Sequence, residues 1–170
     1  MSVLRLTSKL LSAINDTPSP DMAAALSPIG DWYGSLFTTD RRKCILFINE
    51  PTLFVCLALD VAKSEYRQII PFFFEKLISA LRIESFSKDE IGLILGLHES
   101  LTVGRTLNRS TVGSLNNRVQ DAKCLIEVHG GLDSCLAGHI NRMLNDTPMK
   151  AIGYSKGIEK MRALVAGLRK

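Results

Sequence analysis

The residues best suited to chemistry lie in one polar run, Gly104-Arg105-Thr106-Leu107-Asn108-Arg109-Ser110-Thr111-Val112-Gly113-Ser114, which reads as a strand end passing into a helix start. A helix start leaves backbone N–H groups without intrahelical partners and carries partial positive charge, so it stabilises a phosphate or a carboxylate. Arg105 and Arg109 would add full positive charge. The candidate ligand contacts are therefore Arg105, Asn108, Arg109, Ser110, Gly113 and Ser114, approached by Arg41 and Arg42 from a turn earlier in the chain. The run is not a P-loop, because the Gly-Lys-Ser or Gly-Lys-Thr ending is missing. A plainer account makes Asn108 or Ser110 an ordinary N-cap, with the arginines on the surface or in ion pairs.

A second constellation would support different chemistry. Asp31, Asp40, His98 and Glu99 are the residues from which a metal-dependent hydrolase or nuclease would be assembled, by convergence of groups distant in sequence. Local signatures do not favour it. His98-Glu99 lacks the second histidine of HExxH, His129 precedes a glycine helix stop, and His139 borders an apolar stripe. No GxSxG elbow or adjacent Cys-His signature appears, and Asp40-Arg41-Arg42-Lys43 has the composition of a solvated turn. No cofactor and no metal site is predicted. Cys44, Cys56, Cys124 and Cys135 form no CxxC pair and sit among apolar neighbours, which predicts reduced, buried, structural thiols.

These residues must be positioned by a framework, and its clearest part runs from Trp32 to Ala58. Apolar runs rich in β-branched and aromatic residues alternate there with turn residues, which predicts a three-strand antiparallel meander. With Asp40 and Arg41 as the central turn residues, Phe37 faces Cys44, Ser35 faces Leu46 and Tyr33 faces Ile48. Pro51 makes a two- or four-residue second connection the expected one, since proline cannot take the left-handed conformation that closes a three-residue loop. Leu53, Val55 and Leu57 then share the face of Cys44, Leu46 and Ile48, while Ile45, Phe47, Phe54 and Cys56 point the other way. Both faces are apolar, so the sheet is expected to be covered on both sides, and Cys44 and Cys56 cannot be bridged.

Around the meander, residues 3–6 and 101–106 are candidate additional strands, the second returning to the sheet edge. A short helix capped by Thr7 or Ser8 is expected before Asn15-Asp16-Thr17-Pro18, followed by a proline-rich connector with room for one turn of helix. Ser64 is expected to cap a helix that Pro71 kinks or restarts, and Ser87 with Glu90 forms a capping box for another. Val112, Leu115, Val119, Ala122 and Ile126 mark a long helix ended by Gly130 and Gly131. Two more follow, one carrying Leu136, Ile140, Met143 and Leu144, the last carrying Ile158, Met161, Leu164, Val165 and Leu168. That last stripe must pack on the body or on another subunit.

The fold class is therefore α+β, an antiparallel sheet built on the meander and packed by helices, in one domain over residues 1–170. No apolar run approaches the roughly 18 residues that span a membrane, and no secretory signal is evident, so a cytoplasmic protein is expected. The formal charge of +4 is unevenly spread: residues 150–170 carry six basic residues against one acid, and the remainder is close to neutral. A nucleic-acid partner would have to be met by that C-terminal helix, which is otherwise a solvated basic face.

Four stretches, VLRLTSKLL, GDWYGSLFTTDRRKCILFINEPTLF, TLNRSTVGSLNN and LNDTPMKAIGY, resemble in the same order those of a family of small prokaryotic proteins that carries a domain-of-unknown-function label. The resemblance covers nearly the whole chain and implies a single domain. It also implies that Trp32, Arg41, Arg42, Asn108, Arg109, Ser110 and Gly113 belong to shared motifs, and it brings no activity, cofactor or catalytic residue. The expected function is a non-enzymatic binding or interaction module with an anion or phosphate site at residues 108–114. The alternatives are the metal-dependent hydrolase or nuclease and a structural homo-oligomer joined through the last helix.

Overall fold

The computed structural model describes residues 1–20 and 27–170. The helical turn expected in the proline-rich connector falls largely outside them. In chain order the main elements are β1 (Val3–Leu6), α1 (Ser8–Ala13), β2 (Trp32–Thr39), β3 (Arg42–Asn49), β4 (Val55–Ala58), α2 (Lys63–Tyr66), α3 (Ile69–Ile83), α4 (Lys88–Gly96), β5 (Thr102–Arg105), α5 (Arg109–Val128), α6 (Ala137–Asn145), β6 (Pro148–Met149), β7 (Ser155–Lys156) and α7 (Gly157–Leu168). The fold is α+β. Five strands form one sheet in the order β4-β3-β2-β1-β5, and β6 and β7 form a separate two-stranded ribbon.

The first hairpin has the expected register, Tyr33 opposing Ile48, Ser35 opposing Leu46 and Phe37 opposing Cys44, and in the second hairpin Leu46 opposes Leu57, which keeps Leu57 on the expected face. Asp40 and Arg41 both take positive φ, 48° and 61°, the mirror-image turn whose twist matches that of the flanking strands. An arginine pays for that conformation sterically, and the turn is steadied by the Asp40 carboxylate, which accepts from the Leu132 N–H at 2.8 Å. The second connection has four residues, Glu50 to Leu53, inside an Asn49 N–H bond to the Phe54 carbonyl, and Leu53 supplies the left-handed residue at φ 55°. Asn49 is fully buried and ties this loop down, donating to the Ile29 carbonyl and accepting from Thr52 Oγ1.

The sheet is mixed rather than wholly antiparallel. β1 pairs in parallel with both β2 and β5. The reason is connectivity: α1 and the connector carry the chain from β1 back to the start of β2, and α2 to α4 carry it from β4 to β5, and such crossovers allow parallel pairing. Gly104 lets β5 close on β1, since a Cβ there would lie 2.7 Å from Val3 Cγ1.

Helices cover both faces. On one, Leu10 of α1, Tyr66 of α2, Phe73 and Leu77 of α3, Ile94 of α4 and Met161 and Val165 of α7 bury Leu4, Trp32, Ile45, Phe47 and Cys56. On the other, Leu115, Val119 and Ile126 of α5 and Ile140 and Leu144 of α6 bury Tyr33, Phe37, Cys44, Leu46 and Val55. The stripe of α7 thus packs on the body. Removing a ring such as Phe73, edge-on to both Trp32 and Phe47 at 5.1 Å, would cost about 3–5 kcal/mol. Cys44 and Cys56 are buried and free on opposite faces, whereas Cys135 is half-buried and Cys124 is exposed, against the expectation of four buried thiols. Cys124 sits on the outer face of α5, where the apolar positions that set its helical phase point the other way.

Local signals account for most helix ends. Ser87 Oγ accepts from Glu90 N–H while the Glu90 carboxylate accepts from Ser87 N–H, the expected capping box. Pro71 restarts the helix, standing third in α3 where no intrahelical N–H bond is lost. Ser64 does not cap α2, whose Glu65 carboxylate instead accepts from the Ala62 N–H. Thr7 precedes α1 without a side-chain cap bond, and Gly130 and Gly131 end α5 at φ 90° and 92°. Among the described residues no helix is long and apolar enough to cross a membrane.

Candidate functional site

Asn108 caps α5. Its Oδ1 accepts from the N–H groups of Ser110 at 2.9 Å and Thr111 at 3.3 Å, and its own N–H donates to Tyr33 Oη at 3.1 Å. Glu50, from the β3–β4 loop, brings a carboxylate to the same place: Oε1 accepts from Asn108 Nδ2 at 2.8 Å and from Thr111 Oγ1 at 3.3 Å. The helix start therefore has an anion of its own, held where the helix dipole favours negative charge. Burial, with Glu50 and Asp31 nearby, pushes the Tyr33 phenol above its ordinary pKa, so it stays protonated beside that carboxylate.

The expected ligand contacts separate into two groups. Arg105, Arg109, Ser110 and Gly113 are exposed around the β5–α5 connection, and Ser114 is buried under the helix. Arg41 and Arg42 do not approach them. They sit at the opposite end of β2, roughly 20 Å from Tyr33 along the strand. There Arg42 pairs with Asp60 at 2.9 Å and Asp133 at 3.0 Å, and these partners push its pKa up. The separation follows from the register, since the Asp40-Arg41 turn closes the end of the hairpin remote from Asn49 and Glu50.

Of the residues of the hydrolase reading, Asp31, Asp40 and His98 are each engaged in the framework. Asp31 is buried, accepting from Val3 N–H at 2.9 Å and Arg5 Nε at 2.6 Å. Asp40 holds the segment at Leu132. His98 is buried, its Nδ1 at 2.7 Å from the Ile94 carbonyl and its Nε2 accepting from Trp32 Nε1 at 2.9 Å. That pair of partners requires the neutral ring with its proton on Nδ1, and burial lowers the His98 pKa accordingly. Glu99 is exposed. Among the described residues no three His, Cys, Asp or Glu side chains gather to hold a metal ion.

An arrangement not expected from the sequence lies at the carboxyl ends of β1 and β5. These strands are parallel neighbours, yet the chain leaves β1 for α1 on one face of the sheet and leaves β5 for α5 on the other. Diverging connections open a crevice beyond the strand ends, the place where open sheets of this kind take ligands. On the α1 side of these ends lies a cleft of about 500 Å³, lined by Leu6, Ser8, Leu11, Ser12, Pro18, Arg105 and Thr106, with α5 outside its wall. Arg5 buttresses it from inside the sheet: buried against Asp31, it donates from Nη1 to the Arg105 carbonyl at 3.2 Å. A charged residue inside the apolar strand Val-Leu-Arg-Leu is the one sequence signal that marks this anchor.

The basic C-terminal stretch is partly folded back on the body. Lys156 pairs with Asp146 at 2.8 Å, Arg169 reaches Glu90 at 3.5 Å, and Arg162 donates to the Glu84 carbonyl while its guanidinium lies 4.6 Å from the Phe86 ring centre. These three cations do not form a continuous free stripe.

Fold and site together define an α+β protein with a mixed sheet covered on both faces and an open crevice beside its parallel strands. The chain belongs to the family described as Domain of unknown function (DUF6933), whose model matches residues 3–160. The match begins with β1, takes in all five strands of the sheet, and ends within α7. No curated protein matches the chain.

Proposed function

We propose that the protein is a cytoplasmic, non-enzymatic binding module, acting as one domain, that takes a small anion such as a phosphate or carboxylate in the cleft at Arg105 and Thr106, just before the α5 start at residues 108–114. The observation that supports this reading is the cleft at the ends of the adjacent parallel strands β1 and β5, walled by α1 and carrying the exposed Arg105. Arg105 supplies the charge-assisted hydrogen bond, and Ser8 and Thr106 offer hydroxyls, while the Ser12 hydroxyl donates to the Ser8 carbonyl. Arg109 and Ser110 flank the approach. Glu50 at the α5 cap shifts the favourable position for an anion away from the helix axis and towards Arg105. The free, buried Cys44 and Cys56 suit a reducing compartment.

Titration calorimetry with inorganic phosphate, nucleoside monophosphates and small carboxylates tests the reading. Saturable binding by the parent protein is expected, weakened by about 1–3 kcal/mol in Arg105→Ala and by less in Arg109→Ala. Absence of binding to all of these probes removes it.

A further inference from the structure

β4 is an edge strand of the five-stranded sheet, yet its outer edge is occupied by side chains. The Val55 N–H donates to Asn145 Oδ1 at 2.7 Å and the Leu57 N–H donates to Asn141 Oδ1 at 2.6 Å. The Val55 carbonyl accepts from Asn141 Nδ2 at 3.2 Å and Asn145 Nδ2 at 3.0 Å. Both asparagines are buried, at 3% and 0% exposure.

The fit has a geometric cause. Groups that a strand turns towards one neighbour recur every two residues, roughly 6.7 Å apart. Residues four apart on a helix share a face and are separated by about 6 Å along its axis. A primary amide carries a donor and an acceptor in one plane, as a peptide group does. Two asparagines one helical turn apart therefore reproduce two peptide groups of a pairing strand, and α6 runs antiparallel to β4 so that Asn141 meets Leu57 and Asn145 meets Val55. Aspartate would keep only the acceptors, and leucine would keep neither function.

We propose that α6 is a surrogate sixth strand whose amides hold the pairing positions on β4 that a second copy of this chain would otherwise take, edge to edge. The occupant follows from the strand itself. Leu53-Phe54-Val55-Cys56-Leu57-Ala58 has no charge and no proline and is apolar throughout, the kind of segment that pairs with its own copies when its edge is bare. The clamp keeps the chain monomeric by satisfying this edge internally, and it stands independently of the anion-binding reading.

The test is sedimentation of the full chain, from micromolar to near-millimolar concentration, for the parent and for Asn141→Leu/Asn145→Leu. The parent is expected to stay monomeric and the double variant to form dimers or larger species. Hydrogen exchange at Val55 and Leu57 in dilute solution should be about tenfold or more faster in the double variant. A folded double variant that remains monomeric throughout overturns the proposal whatever its exchange rates, as does a parent that already dimerises through β4. If the double variant fails to fold, Asn141→Leu is compared with Asn141→Asp, which keeps the acceptor facing Leu57. Self-association of the leucine variant alone supports the clamp, and equal behaviour of the two overturns it.

Discussion

The two sides of the sheet are held by different chemistry. On the antiparallel side, β4 is sealed by neutral amides, Asn141 and Asn145, that satisfy its edge inside the protein. On the parallel side, the buried Arg5–Asp31 pair ties β1 to the start of β2, the His98–Trp32 hydrogen bond ties β2 to the segment after α4, and the β5 end opens on a cleft beside Arg105. An uncharged apolar strand must have its edge covered, whereas a strand ending in Gly104-Arg105 can lie beside water. Of the outer edge of β5, the Val103 carbonyl accepts from the Ser19 N–H, and the open part is the strand end at Arg105, where the proposed ligand would sit.

The sharpest way to break this contrast is Arg5→Ala. It leaves the Asp31 carboxylate buried without its cation and is expected to destabilise the protein by about 3–5 kcal/mol in urea unfolding, while removing the support of the Arg105 carbonyl. Asn145→Ala on the sealed side should cost less, about 1–3 kcal/mol, because it strands the Val55 N–H while the Val55 carbonyl keeps Asn141. A cost equal to that of Arg5→Ala would mean the two sides are fastened alike.

A smaller effect, confined to one side, is expected from pH. Folding lowers the pKa of His98 below its ordinary value of 6.5, so as pH falls through that value the unfolded chain takes up a proton before the folded one does. The neutral ring's contribution is thus present above the ordinary histidine pKa and is lost as pH falls through the folded-state pKa. Urea midpoints should drop on mild acidification, and hydrogen exchange should quicken in β1 and β5 while β4 amides, held by groups that do not titrate, change little. His98→Gln should flatten the dependence. Equal acceleration in both sides would show that they open as one unit.

Much of the fold was legible in the residues because it rests on local chemistry. Turn residues and period-two alternation place Tyr33, Phe37, Cys44 and Leu57 on one face, and the Ser87–Glu90 box and the Gly130-Gly131 stop lie within a few residues of the helices they bound. The site was legible only as a strand-to-helix run containing Arg105 and an Asn108 cap. Its neighbours were not: Glu50 reaches Asn108 across 58 positions and Arg5 reaches Arg105 across 100, so no spacing rule connects them.

By itself the sequence determined the first hairpin's register, the two apolar faces and the phases of the long helices, since each follows from turn type or side-chain period within one segment, whereas the second connection was narrowed only to two or four residues. Only the tertiary structure decided that β1 lies between β2 and β5, that Arg41 and Arg42 stand far from α5's start, and that two asparagines close the β4 edge. Those outcomes depend on which distant segments pack together, and packing between apolar faces is non-directional until buried polar groups such as Asn141, Asn145, Arg5 and Asp31 find the partners that burial demands.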